Sequence, residues 1–233
     1  MTTIMPGGGI SRRPLHLFIL ADCSGSMKVD GKMQALNFAI ASMLPHLAAW
    51  EREQEQAEVF VRAIAFADRA EWHIEEPMPA TGARWAPLHY VEKGLTSMGA
   101  AFQLVAEALQ PERLETRALR PAILLITDGK PTDPAEFEAG LRVLMSTPAG
   151  RGAIRVAVAI GRGARSEYLN RFTDNPDIPV LVADSMEQIT SQLVAASLAV
   201  SRFSEVGVDR DTVASRLVPS EVAQVPSDDD TIV

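Results

Sequence analysis

The chain has 233 residues, 47% of them apolar and 22% charged, with a single cysteine and a net charge of −8. Such a length buries a sizeable core; one cysteine excludes an internal disulfide, and no basic stripe suits a nucleic acid, so the chain reads as a cytoplasmic protein that binds no nucleic acid. No stretch approaches the roughly 18 apolar residues of a membrane helix, and the run after Ser11-Arg12-Arg13 is interrupted by His16 and closed by Asp22, which argues against a twin-arginine signal and a membrane anchor.

Residues 1–13 are Gly-rich and aperiodic, which predicts a flexible start. The apolar run 15–21 predicts a central strand buried on both faces, and Asp30-Gly31 a turn. From Lys32 the apolar positions Met33, Leu36, Ile40, Met43, Leu47 and Trp50 recur at helical spacing, with a kink or early end expected at Pro45. Strands at 59–67 and 71–74 flank Asp68-Arg69 as a hairpin whose second strand lies at the sheet edge. Pro77, Pro79, Gly82 and Pro87 predict a long irregular segment leading to Thr96.

A helix follows from Gly99 to about Leu109, then a short buried strand at 122–126. Asp133-Pro134-Ala135-Glu136 has the order of an N-cap, a proline at the first helical position and a capping glutamate, opening a helix that runs to about Met145. Strands at 154–160 and 179–183 come next. Ser185 with Gln188 caps a last helix whose Ile189, Leu193, Ala196, Val200 and Phe203 share one face. Alternating strands and helices predict an α/β fold: a doubly wound, Rossmann-like, mostly parallel sheet with one antiparallel edge strand and helices on both faces. Residues 205–233 hold seven acidic residues and two arginines. This stretch is too poor in large apolar side chains to build a core, so it reads as a mobile acidic tail behind a domain spanning 14–204.

The chemistry concentrates at two strand ends. Asp22-Cys23-Ser24-Gly25-Ser26 puts three oxygen-bearing side chains at alternate positions directly after the first apolar run. Carboxylate and hydroxyl oxygens are hard ligands, suited to Mg²⁺ or Mn²⁺ ahead of Ca²⁺ and not to a thiolate-seeking metal. Asp128, in Ile126-Thr127-Asp128-Gly129, closes a second apolar run, and Thr96 lies in Gly94-Leu95-Thr96-Ser97-Met98-Gly99 between the two. In a doubly wound sheet, ligands gather at the carboxyl ends of strands where the strand order reverses. Both aspartates fall at such ends.

Asp22, Ser24, Ser26, Thr96 and Asp128, in this chain order, resemble the metal-ion-dependent adhesion site (MIDAS) of von Willebrand factor A (VWA) domains. Within that family, Thr96-Ser97-Met98-Gly99-Ala100-Ala101 and Thr127-Asp128-Gly129-Lys130-Pro131-Thr132-Asp133 are most similar to bacterial TerY-type proteins, which accompany tellurium-resistance and stress-response gene clusters. The resemblance implies that Ser24 and Ser26 ligate the ion directly, Thr96 directly or through water, and Asp22 and Asp128 largely through ordered waters. It also implies an open position that accepts an Asp or Glu of a protein partner. For the TerY-type group that partner is a phosphatase or kinase of the same gene cluster.

The expected function is therefore a non-enzymatic, metal-dependent protein-interaction module serving as scaffold or regulatory partner. Two alternatives stand beside it: a metal-assisted hydrolase or phosphatase with Ser24 or an ion-bound water as nucleophile, and the VWA subunit of an ATP-driven chelatase-like complex. The first lacks a strong candidate base beside the serine motif, and the second needs a separate ATPase chain because no phosphate-binding loop motif occurs here. The four lysines, Lys28, Lys32, Lys93 and Lys130, all stand beside the motifs; they either ring the ion and steer a partner or are solvated loop residues. Asp30 and Asp133 read as turn and cap residues, Cys23 as a small core side chain, and His16 and His46 as structural. Trp85, His89 and Tyr90 either contact a partner or pack their loop onto the body.

Overall fold

Residues 13 to 22 are apolar apart from Arg13, His16 and Asp22, and so favour a strand covered on both sides. In the computed structural model, which describes residues 12–53, 57–161, 167–175 and 178–203, they form β1 (Arg13–Asp22), the third strand of a six-stranded sheet. The other strands are β2 (Ala57–Phe66), β3 (Ala70–Pro79), β4 (Ala122–Thr127), β5 (Ile154–Ile160) and β6 (Leu181–Ala183), in the order β3-β2-β1-β4-β5-β6. Only β3 runs antiparallel. The chain winds outward from β1 through β2 and β3, then returns to β4 on the other side. The strand order thus reverses between β1 and β4, whose carboxyl ends carry Asp22 and Asp128.

Because strand side chains alternate between faces, the sheet divides the core in two. Leu17, Ile19 and Leu124 pack with Leu36 and Ile40 of α1 (Lys32–Glu53) and with Ile189 and Leu193 of α6 (Met186–Phe203). On the opposite face, Phe18, Leu20 and Leu125 pack with Phe102 of α2 (Met98–Ala108), Phe137 of α3 (Pro134–Ser146) and Phe172 of α5 (Glu167–Thr173). Phe102 stacks on Phe172 at 5.2 Å and meets Phe137 edge-on at 5.4 Å, the offset and T-shaped arrangements that aromatic quadrupoles prefer.

Several expectations are corrected. α1 passes through Pro45 without ending, reaching Glu53. Pro45 and Ala41, whose carbonyl loses its helical donor to the ring, both face solvent, which leaves that carbonyl open to water, while Leu44, Leu47 and Trp50 bury the inner face. β3 continues to Pro79 instead of stopping at 74: an edge strand leaves one side unpaired, and a bulge opposite Val61–Ala63 absorbs the irregularity, so Pro77 and Pro79 are tolerated. The segment after it is anchored by Asn37 of α1, whose Oδ1 accepts from Trp85 Nε1 and Leu88 N, both at 2.8 Å. Of the two readings for Trp85, packing holds.

Asp133 caps α3 as expected, its Oδ1 accepting from Ala135 N at 2.8 Å and Glu136 N at 3.1 Å. Glu136 does not close the capping box; its Oε1 instead accepts from Ala100 N in the first turn of α2. Replacing Asp133 by alanine is expected to cost about 1 kcal/mol, a shift of about 2–4 °C in the melting temperature for a chain of this size, read by thermal denaturation. Ser185 Oγ accepts from Gln188 N at the start of α6, and Gln188 Oε1 accepts from Asp184 N. Two short helices, α4 (Pro148–Gly152) and α5, had no periodic signal. The side chains of Ala196, Val200 and Phe203, the residues 1–11 and the acidic stretch 205–233 lie outside the described residues.

Candidate functional site

At the end of β1 the chain leaves the sheet as an extended turn held by its own aspartate. Asp22 is fully buried, and its Oδ1 accepts from Ser24 N at 2.7 Å while its Oδ2 accepts from Thr127 Oγ1 at 2.5 Å. One carboxylate thereby ties the carboxyl ends of β1 and β4 together. Burial pushes this carboxyl up to about 6, against the lowering effect of the Ser24 and Thr127 hydrogen bonds. Cys23 turns into the core, as its size predicts, and burial followed by the charge of Asp22 pushes its thiol up to about 12.

Beyond Cys23 the serines meet the second aspartate. Ser24 Oγ lies 3.0 Å from Ser26 Oγ, and Ser26 Oγ donates to Asp128 Oδ1 at 2.6 Å. Lys32 Nζ donates to the other oxygen, Oδ2, also at 2.6 Å. Four of the residues singled out in the sequence, Asp22, Ser24, Ser26 and Asp128, are thus brought into one hydrogen-bonded group at the reversal of strand order.

The loop that carries Thr96 abuts the serine turn. Gly25 N donates to Gly94 O at 3.1 Å, and a side chain at Gly25 would lie 3.1 Å from Lys93 N, so the two loops abut. Thr96 is itself buried: its N donates to Thr132 Oγ1 and its carbonyl accepts from Thr132 N. On the other side Leu95 N donates to Asp68 Oδ1 at 2.7 Å, which fastens the loop to the β2–β3 turn. Among the described residues the Thr96 hydroxyl makes no hydrogen bond with the other four.

The lysines do not form a ring. Lys32 faces the cluster, Lys28 pairs with Glu92 at 2.8 Å in solvent, and Lys93 and Lys130 are exposed. Three apolar side chains on the same loops stand in solvent: Val29 (53% exposed), Val91 (43%) and Leu95 (50%). Sequence reasoning passed over Thr127, Thr132 and Asp68, which fix the site without touching its centre. A threonine ending an otherwise apolar strand was the one local signal, at Thr127.

Among the described residues no three His, Cys, Asp or Glu side chains gather as a metal-holding group. The cluster has two carboxylates, and hydroxyls supply its remaining oxygens, which is a donor set for a hard cation. An octahedral shell of oxygens at about 2.0–2.1 Å from Mg²⁺ places neighbouring oxygens about 2.9 Å apart. The 3.0 Å between Ser24 Oγ and Ser26 Oγ fits that edge.

Residues 17–130 match the family model described as von Willebrand factor type A domain. No curated protein sequence matches the chain. Solved structures do: the ArnB paralog VWA2 from Sulfolobus acidocaldarius, 16% identical with a TM-score of 0.56, covers 78% of this chain and 45% of its own. A von Willebrand factor type A protein from Catenulispora acidiphila, 17% identical with a TM-score of 0.55, covers 88% and 43%. Proximal thread matrix protein 1 from the mussel byssus, solved with a zinc-occupied MIDAS motif, is 16% identical with a TM-score of 0.54 and covers 80% and 48%. The chain thus spans less than half the length of these proteins. At such identities the likeness establishes the fold: a VWA-type, Rossmann-like sheet.

Proposed function

We propose that this VWA-type domain is a metal-dependent protein-interaction module, in which Asp22, Ser24, Ser26, Thr96 and Asp128 hold Mg²⁺ or Mn²⁺ and the ion receives an Asp or Glu side chain of a protein partner. The observation that carries this reading is the convergence of Asp22, Ser24, Ser26 and Asp128 in one hydrogen-bonded group of hard oxygens where the strand order reverses, with the Ser24 and Ser26 hydroxyls at a spacing compatible with an octahedral shell. Bound there, the ion would supply a Lewis-acidic position facing solvent. The chain's own residues do the rest: Asp22 fixes the serine turn to β4, Asp68 and Thr132 fix the Thr96 loop, and Val29, Val91 and Leu95 offer apolar contact around a bound carboxylate. On the resemblance of the Thr96 and Thr127-Asp128 motifs to TerY-type proteins, the module would serve as a scaffold or regulatory partner beside a phosphatase or kinase in a bacterial stress or tellurium-resistance system. The single cysteine fits the cytoplasm as its compartment, and among the described residues no helix is long and apolar enough to cross a membrane.

The module reading is preferred over a hydrolase because Ser24 Oγ is paired with another serine hydroxyl and not with an imidazole, while His16, a residue of β1, is buried against Phe60 and Glu115. A general base must stand within hydrogen-bond reach of its nucleophile. Affinity capture from the native host in Mg²⁺ and in chelator tests the proposal. A partner retained in Mg²⁺, lost in chelator and lost with Thr96→Ala is the expected result. Changing one partner Asp or Glu to its amide should weaken retention too, and phosphatase and esterase assays should stay at background. Capture indifferent to chelator contradicts the module. Metal-dependent turnover that Ser24→Ala removes, with metal binding intact, favours the hydrolase.

A further inference from the structure

Asp30 (φ 54°) and Gly31 (φ 69°) are consecutive residues in the left-handed region, and they turn the chain so that α1 begins at Lys32. The backbone N of Lys32 is fastened to the carbonyls of Met27 and Val29. Its stem passes the end of β5, with Cε 4.0 Å from where a side chain on Gly161 would begin. The ammonium so delivered meets Asp128 Oδ2 at 2.6 Å. The Asp128 side chain is completely buried and that of Lys32 is 23% exposed, so the lysine covers the carboxylate and keeps a path to water.

We propose that Lys32 is a built-in counter-ion that competes with the divalent cation for Asp128 and thereby sets the affinity of the site. The inference rests on the metal reading above and deepens it. A buried carboxylate left without a cation is strongly disfavoured, and here Lys32 supplies one without any metal. A divalent ion drawn to the same oxygens meets a positive charge already bonded to one of them. Binding is then an exchange: the flexible lysine stem swings toward solvent as the ion takes over the charge of Asp128. The other lysines do not share this role, since Lys28 is occupied by Glu92 in solvent and Lys93 and Lys130 are exposed.

Titration of the full chain with Mn²⁺ alone, followed by calorimetry and by the electron-spin signal of free Mn²⁺, tests the exchange. Lys32→Met keeps the apolar stem and removes the charge, and Lys32→Gln keeps a neutral donor near Asp128 should the methionine variant not fold. Both are expected to bind Mn²⁺ about 10- to 100-fold more tightly than the parent, the range corresponding to one charge-assisted hydrogen bond. Lys32→Arg and Lys28→Met should stay within about threefold of the parent. In chelator the Lys32→Met protein should melt below the parent and gain more on addition of Mn²⁺. Unchanged or weaker affinity in both folded neutral variants, with the parent binding, overturns the counter-ion role alone. Failure of parent and variants alike to bind millimolar Mn²⁺ overturns the metal reading beneath it.

Discussion

Gly140→Ala is expected to lower the stability of the whole domain by about 3 kcal/mol or more, the upper range for overpacking. A Cβ at Gly140 would lie 2.2 Å from Gly99 O and 2.6 Å from Gly99 Cα, and a Cβ at Gly99 would lie 2.2 Å from Glu136 O. In both cases the obstruction is backbone, which cannot rotate aside as a side chain can. α2 and α3 touch through these two glycines, and an added methyl forces the helices apart. Separation would loosen the Phe102–Phe137 contact and break the bond from Ala100 N to Glu136. For a chain of this size the loss corresponds to a fall of about 6–12 °C in melting temperature, measured by calorimetry. Gly129→Ala is the control, because a side chain there meets nothing within 4 Å. Equal effects of the two changes would show that the close helix contact does not limit stability.

Addition of Mg²⁺ or Mn²⁺ is expected to raise the melting temperature of the parent protein, and Asp22→Ala or Asp128→Ala to abolish that rise. An ion held only by the folded state stabilises it by about 2.7 kcal/mol when its concentration is 100 times the dissociation constant, or about 5–11 °C at this size. The two aspartates act differently. Asp128 lends oxygens to the same group as Ser26, whereas Asp22 acts through Ser24 N and Thr127 Oγ1, holding the serine turn in place. Asp22→Ala leaves Ser24 N buried without its acceptor, at about 1–3 kcal/mol, and leaves Thr127 Oγ1 only the long 3.5 Å contact to Gly129 O, so it should also lower the melting temperature in chelator. Asp128→Ala strands the Lys32 ammonium, which has a path to solvent, and should cost less. A metal-induced rise that survives both substitutions would place the ion elsewhere.

Much of the fold was legible because its strands are short apolar runs with a clear end: β1 stops on the polar Asp22, β4 on Thr127, and β5 at Ile160 before the turn-forming Gly161. The Asp133 cap and the Asp68-Arg69 turn were likewise written in adjacent residues. What escaped depended on partners distant in sequence. Glu136 serves α2 and not its own helix, Pro45 is tolerated because it faces water, and Pro77 and Pro79 because β3 is an edge. The candidate site divides in the same way. Its oxygen-bearing residues stood out at strand ends, while the contacts that position them, Asp68 to Leu95, Thr132 to Thr96 and Lys32 to Asp128, join segments that no local pattern pairs. Lys32 was visible as one of four lysines, but nothing in the chain order separated it from the other three.

Direct calorimetric titration of the full chain with Mg²⁺ and with Mn²⁺, beside the Ser24→Ala and Ser26→Ala variants, shows whether the serine pair holds a divalent ion. One ion per chain, bound by the parent and lost or at least tenfold weaker in each serine variant, is the predicted result, since each change removes one hydroxyl of the 3.0 Å pair. No binding at millimolar metal, or binding indifferent to both serines, would rule out a metal site at the ends of β1 and β4.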